Sequence, residues 1–263
     1  MTARANLPDV PNLRDVGGHA TSAGGRVRAG LLYRSVDLAR ATDVQAEALA
    51  RLGIRAVYDL RTADERAIAP DRLPPGAALV VADVLADDAG SSPAAFGAIL
   101  EDPASAERAL GGGRAARFFV DKYRDFVAAP GARAAYRTFF SALGRPEGRP
   151  GLVHCTSGKD RTGWAAAALL LLLGVPEDRV MDDYLASNGA LGPIFDPFVA
   201  EFRDRGGDPD LLRPLVEARP EYLESALVEV RATHGSIDAY FADGLGIDGT
   251  GIATLRAAFI EPA

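Results

Sequence analysis

Apolar and polar positions alternate along the chain in two regimes. Short apolar runs and stretches of helical period take turns through the first two thirds, and the remainder is helical throughout. Asn12-Leu13-Arg14-Asp15-Val16-Gly17-Gly18 leads through Gly24-Gly25 into residues 26–33, which predicts a turn and a strand. Thr42 or Asp43 can cap a helix whose apolar positions Val44, Ala48 and Leu49 recur at helical spacing, with Gly53 where it stops. Residues 54–60 read as a short buried strand closed by Asp59-Leu60-Arg61, and a weak helical segment runs from Ala63 to just before Pro70. Residues 78–82 form another short apolar strand, and Asp83 stands where it leaves the sheet, before a loop rich in Asp, Gly and Ser.

Helical patterns then occupy much of 93–110, 114–128 and 132–143, and 144–150 form a turn-rich connector. A strand at 151–154, a polar loop from Cys155 and an apolar helix from Arg161 follow. Strands alternating with helices predict an α/β fold with a mainly parallel central sheet flanked by helices. Beyond Pro176 the pattern gives helices at 177–187, 195–205, 209–218, 221–233, 237–242 and 252–259. With no internal repeat and no long linker, residues 1–263 are expected to form one domain with a helical insertion at about 190–235.

Composition narrows the function. A net charge of −7, from 29 Lys+Arg against 36 Asp+Glu, argues against a broad grip on nucleic acid or anionic lipid and leaves room for a local basic pocket. The apolar run at 164–175 is shorter than the roughly 20 residues of a membrane helix, so no integral membrane segment is expected. The first ten residues hold Arg4 and Asp9 and no apolar run, so no signal peptide is expected; the cytoplasm is the default compartment, with leaderless export left open. Cys155 is the only cysteine, and with just His19, His154 and His234 beside it a disulfide framework and a structural zinc site are excluded.

The decisive stretch is His154-Cys155-Thr156-Ser157-Gly158-Lys159-Asp160-Arg161-Thr162-Gly163, between a short apolar strand and a long apolar helix. A loop turning into a helix N-terminus points several unpaired backbone N–H groups at one spot, which favours an anion. Gly158 permits the tight path, and Arg161 can reach back to hold two oxygens of a phosphate. The same field favours the thiolate of Cys155 and makes it a candidate nucleophile. Thr156, Ser157, Gly158, Lys159, Asp160 and Arg161 are the candidate phosphate-binding residues; His154 is placed to fix the loop and Thr162 to support the sulfur. A Walker-type loop is disfavoured, because Asp160 follows Gly158-Lys159 and position 153 is Val.

This string resembles the active-site loop of cysteine-dependent protein-tyrosine and dual-specificity phosphatases. Within them the chain is similar to the bacterial PtpB-type group, which also carries motifs like Asn12 to Gly18 and Asp59-Leu60-Arg61 in the same order. The resemblance implies a phosphatase α/β fold, a cysteinyl-phosphate intermediate, and neither metal nor other cofactor. It implies a phosphorylated protein as substrate and inorganic phosphate as product, and a second cation at the pocket rim would add phosphoinositides as candidate substrates. It also raises a helical lid over the site, with core-packing helices as the equal alternative for 195–233. Asp83 matches an aspartate that the family can use as general acid, with Asp160 as competitor; no Trp-Pro-Asp loop is present, since the only tryptophan is Trp164. Lys159, one of two lysines, would act as a second rim cation for substrates bearing several phosphates. Arg14, Asp15 and Arg61 either buttress the loop or serve local turns. A rhodanese-type sulfurtransferase and a non-catalytic phospho-ligand module are the competing functions.

Overall fold

The structure, a computed structural model, describes residues 9–88 and 102–262. From the N-terminus, β1 (Arg14–Asp15), β2 (Arg26–Val27) and β3 (Leu32–Ser35) precede α1 (Asp43–Arg51). The strand expected across 26–33 is split in two: Gly30, at φ +79°, turns the chain between β2 and β3. Thr42 caps α1 in a capping box with Gln45. Next come β4 (Ala56–Asp59), α2 (Ala63–Ile68) and β5 (Ala78–Val81). A second capping box, Thr62 with Glu65, starts α2.

The helices α3 (Pro103–Leu110), α4 (Arg114–Ala128) and α5 (Pro130–Leu143) lead to β6 (Gly151–His154). The expected helix at 93–110 is seen from Pro103; its earlier part lies outside the described residues. After β6 come α6 (Arg161–Leu172), α7 (Glu177–Leu185), α8 (Ser187–Asp204), α9 (Pro220–Thr233) and α10 (Gly249–Phe259), and finally β7 (Ile260–Glu261). Helix α8 starts earlier than the pattern predicts and runs through Pro193 and Pro197. The helix expected at 209–218 is reduced to single turns at Pro209–Leu211 and Arg213–Val216, because Pro209 and Pro214 each allow only a fresh start.

The main sheet has the order β1-β3-β6-β4-β5, parallel from β3 to β5, with β1 antiparallel at one edge. Strands β3, β6 and β4 are buried at every position, as the centre of a parallel sheet covered on both faces requires. The small pair β2–β7 ties the N-terminal segment to the C-terminus. Strand β5 adjoins β4 rather than β6, so Asp83 leaves an edge strand that is separated by β4 from the strand leading to Cys155.

Helix α6 is buried at every residue except Leu171, and its Trp164 shares the main core with Phe140, Tyr222 and Tyr240. Helix α9 packs mainly on α4 and belongs to this core through Tyr222, Leu223 and Ala226. By contrast Phe202 of α8 and Leu212 join Ala106, Leu110 and Ala115 in a separate small cluster. No helix among the described residues is long and apolar enough to cross a membrane.

Candidate active site

In-register pairing places Ser35, Asp59 and His154 side by side at the C-terminal ends of β3, β4 and β6. Loops leaving these ends are where an open parallel sheet forms its crevice, and the stretch from Cys155 begins there. Cys155 is 2% exposed. Gly158, at φ +65°, is required twice over: the conformation favours glycine, and a Cβ would overlap the Ser35 carbonyl oxygen.

The loop's carbonyl groups are taken up one after another by donors behind it. The Cys155 oxygen lies 3.0 Å from His154 Nδ1, and the Thr156 oxygen accepts from the Asp37 N–H at 3.1 Å. Asn12 Nδ2 donates to the Ser157 and Gly158 oxygens, both at 3.1 Å, and Arg34 Nη2 donates to the Gly158 oxygen at 2.8 Å. Because a trans peptide is planar, a carbonyl drawn back sends the next residue's N–H the other way. Among the described residues, none of the N–H groups of 156–160 donates to a protein acceptor. Unpaired amides converging at the start of α6 make an oxyanion cradle.

Arg161 is held over this cradle by Glu65. Its Nη1 lies 2.6 Å from Glu65 Oε2 and its Nη2 lies 2.7 Å from Glu65 Oε1. The Thr156 hydroxyl donates to Glu65 Oε1 at 2.5 Å. Burial pushes the Glu65 carboxyl up, but the Arg161 hydrogen bonds and charge outweigh it and hold it at about 2. Glu65 takes one fork of the guanidinium, while no hydrogen bond occupies Nε among the described residues. Nη2 also reaches the Thr156 hydroxyl oxygen at 3.4 Å, so the Nε–H is the donor left for a ligand's oxygen.

His154 is fixed from below. Its Nε2 stands 3.1 Å from Asp71 Oδ2, an ion-pair distance without the alignment of a good hydrogen bond. Asp71 also meets Arg61 Nη2 at 2.7 Å, and Arg61 pairs with Asp59 at 2.8 Å. Burial raises Asp71, yet the close approach of the His154 ring, followed by the Arg61 charge, brings it below the ordinary carboxylate range. Asp59, Asp71 and His154 bring three ligand-type atoms within 4.8 Å of one another. The Arg61 guanidinium is already seated against both carboxylates, so a cation fills the place that a metal ion would take.

Other expected site residues are placed differently. Lys159 is buried, its Nζ donating to the Glu217 oxygen at 3.0 Å, meeting Asp160 Oδ1 at 3.0 Å and standing over the rings of Phe119 and Tyr222. It is not a free cation at the rim, because these partners draw it toward the turn before α9. Asp160 Oδ1 also accepts from the Tyr123 hydroxyl at 3.1 Å. Asp83 is half-buried and, among the described residues, accepts only the Leu85 N–H, at 3.0 Å. The Thr162 hydroxyl is buried and hydrogen-bonds to nothing among the described residues, the sulfur included. Arg14 lies behind the loop on Asp183, whereas Asp15 serves its own turn by accepting from Gly17 and Gly30.

Four residues of this arrangement escape a sequence reading: Glu65, Asp71, Arg34 and Asp183. Only Glu65 carries a usable signal, the Thr62-x-x-Glu65 box directly after Asp-Leu-Arg, and local capping already accounts for it.

Comparison with known proteins agrees with this geometry. A family model described as "Tyrosine phosphatase family" matches residues 5–261. A Cupriavidus necator protein provisionally named a tyrosine-protein phosphatase is 34% identical over 255 residues, covering 95% of this chain and 86% of its own. The triple specificity protein phosphatase PtpB of Mycobacterium tuberculosis is 32% identical over 278 residues, covering 97% of this chain and 98% of its own. A tyrosine-protein phosphatase of Nostoc commune is 30% identical over 163 residues, covering 61% of this chain and 49% of its own.

Proposed function

The chain belongs to the tyrosine phosphatase family, and from that premise we propose that it hydrolyses phosphotyrosine in proteins through a cysteinyl-phosphate intermediate, without a metal ion. The observation that carries this reading is the set of unpaired amides of residues 156–160 around the buried Cys155, with Arg161 held above them by Glu65.

In the first step the Cys155 sulfur attacks phosphorus, an S–P bond forms and the P–O bond to the tyrosine breaks. The three equatorial oxygens carry the developing charge and meet the amides of 156–160 and the Nε side of the Arg161 guanidinium. A carboxylic acid gives its proton to the leaving oxygen. In the second step water attacks phosphorus, the S–P bond breaks, phosphate leaves, and the proton of the water goes to the same carboxylate.

Asp83 fits the acid role better than Asp160. Asp160 is already engaged by the Lys159 ammonium and the Tyr123 hydroxyl, whereas among the described residues Asp83 accepts only the Leu85 N–H and has an oxygen to offer a leaving group. His154 acts through the loop backbone, anchored by Asp71 and Arg61. The Thr162 hydroxyl, buried beside the loop and without a hydrogen-bond partner among the described residues, suits a role at the sulfur in the second step.

A second reading extends the substrates to phosphoserine, phosphothreonine and phosphoinositides, favoured by the triple specificity in the name of the Mycobacterium tuberculosis relative. The burial of Lys159 weighs against the phosphoinositide part, since its ammonium is already engaged. An assay of wild type and Cys155→Ser on a phosphotyrosine peptide in excess EDTA tests the main reading. Turnover by wild type and none by the variant is expected; dependence on added metal, or turnover by the variant, would refute it. A phosphoserine peptide and a soluble phosphoinositide in the same assay decide the wider reading.

A further inference from the structure

The chemistry above does not use Arg34, yet its side chain is fully buried in the centre of the sheet directly behind the loop. From β3 it spans two partners: Nη1 meets Asp183 Oδ2 at 3.0 Å and Nη2 donates to the Gly158 oxygen at 2.8 Å. Asp183, on α7, meets Arg14 Nε with its other oxygen at 3.0 Å, and its backbone oxygen accepts from Arg14 Nη2 at 2.9 Å. Arg14 Nη1 donates to Asn12 Oδ1 at 2.5 Å. That bond settles which end of the Asn12 amide is oxygen, so its Nδ2 faces the Ser157 and Gly158 oxygens.

Asp183 is therefore a hub from which two routes reach one peptide group. The direct route is Arg34 to the Gly158 oxygen; the indirect one passes through Arg14 and Asn12 to the same atom. Burial works against the Asp183 carboxylate, but the charges of Arg14 and Arg34 hold it below the ordinary range, so the hub stays ionised. A carbonyl held by two donors, one of them charged, cannot turn about its neighbouring bonds without breaking both.

We propose that Arg34, anchored on Asp183, is a positioning residue that holds the Gly158–Lys159 peptide with its N–H turned into the oxyanion cradle. The inference rests on the proposed function, because it gives that cradle an oxyanion to hold. Arg34 touches neither substrate nor sulfur; it acts through the peptide plane. A structural role alone would need Arg34 only to neutralise Asp183, which Arg14 already contacts from the other side.

The fold should tolerate the test. Without Arg34, Asp183 keeps Arg14 and the Gly158 oxygen keeps Asn12, so neither is stranded. The full chain is prepared as wild type, Arg34→Met and Arg34→Lys, the last keeping the charge on a single nitrogen in place of a fork. Two measurements other than turnover are made: tungstate affinity by calorimetry, and the pH midpoint of iodoacetamide alkylation, which reports on Cys155 alone because the chain has no other cysteine.

Arg34→Met should bind tungstate about tenfold more weakly and shift the alkylation midpoint upward by about one pH unit, as expected for losing one charged hydrogen bond that orients a donor. Arg34→Lys should fall between it and wild type, and decides the matter on the same readouts if Arg34→Met does not fold. The inference is overturned if the folded variants match wild type in both readouts while only their thermal stability falls. Failure of wild type itself to bind tungstate would instead refute the proposed function, so the two failures are told apart.

Discussion

Glu65 and Arg161 face each other in a two-point ion pair, 2.6 Å and 2.7 Å between oxygen and nitrogen, although 96 residues separate them in the chain. The pair joins the first turn of α2 to the first residue of α6 and aims the guanidinium before any ligand arrives. Preorganisation of this kind spares the reaction the cost of orienting a long flexible side chain.

Glu65→Gln keeps the shape of that partner and removes its charge. Arg161 then loses a charged fork and samples other rotamers, so kcat/KM for p-nitrophenyl phosphate should fall by about 10- to 100-fold. Steady-state kinetics check this, and a fall of less than about twofold would show that Arg161 orients itself.

The same pair carries a pH dependence with a definite sign. Glu65 is held at about 2 in the folded chain against an ordinary value of 4.5. A group depressed on folding stabilises the folded state fully above its unfolded value and ceases to do so as pH falls through the folded one. The difference in urea-unfolding free energy between wild type and Glu65→Gln should therefore be larger at about pH 6 than at about pH 3. An equal difference at both would mean that the ion pair contributes nothing to stability.

Leaving-group dependence separates the two aspartates. Asp83→Asn should slow hydrolysis of phenyl phosphate, whose leaving group needs a proton, by about 100-fold or more, and that of p-nitrophenyl phosphate far less. Asp160→Asn should affect both alike, through its bonds to Lys159 and Tyr123. The reverse pattern in paired kinetics would exchange their roles.

Gly158→Ala should be among the more damaging small substitutions in the chain. It adds a Cβ at φ +65° against the Ser35 carbonyl, so the loop must move or the strand must give. A loss of more than about 2 kcal/mol in chemical unfolding is expected, together with loss of oxyanion binding.

The loop itself was legible in the sequence because its determinants are local: a strand, a glycine with left-handed backbone and a helix start follow one another within a short string. The alternation of strands and helices likewise yields the parallel sheet. Strand order was not legible, since nothing within 78–82 says that β5 joins β4 rather than β6, and that order sets how far Asp83 lies from the loop. Lys159 lies away from the expected rim for a related reason. Its partners, the Glu217 oxygen and the rings of Phe119 and Tyr222, come from remote helices, and position in the motif alone suggested an open rim.

Glu65, Asp71, Arg34 and Asp183 share that remoteness. Each is an ordinary charged residue in its own segment and gains a role only when the fold brings β3, α2 with the segment after it, and α7 around one loop.

The central claim is that phosphorus becomes bonded to the Cys155 sulfur during turnover. The direct measurement is acid quench of the enzyme during turnover of p-nitrophenyl phosphate, followed by mass spectrometry of the peptide that contains the sole cysteine. A phosphoryl group on Cys155, accumulating further when Asp83→Asn slows its hydrolysis and absent from Cys155→Ser, is the predicted result. Full turnover with no phosphoenzyme in either wild type or Asp83→Asn, or a phosphoryl group on another residue, would contradict it.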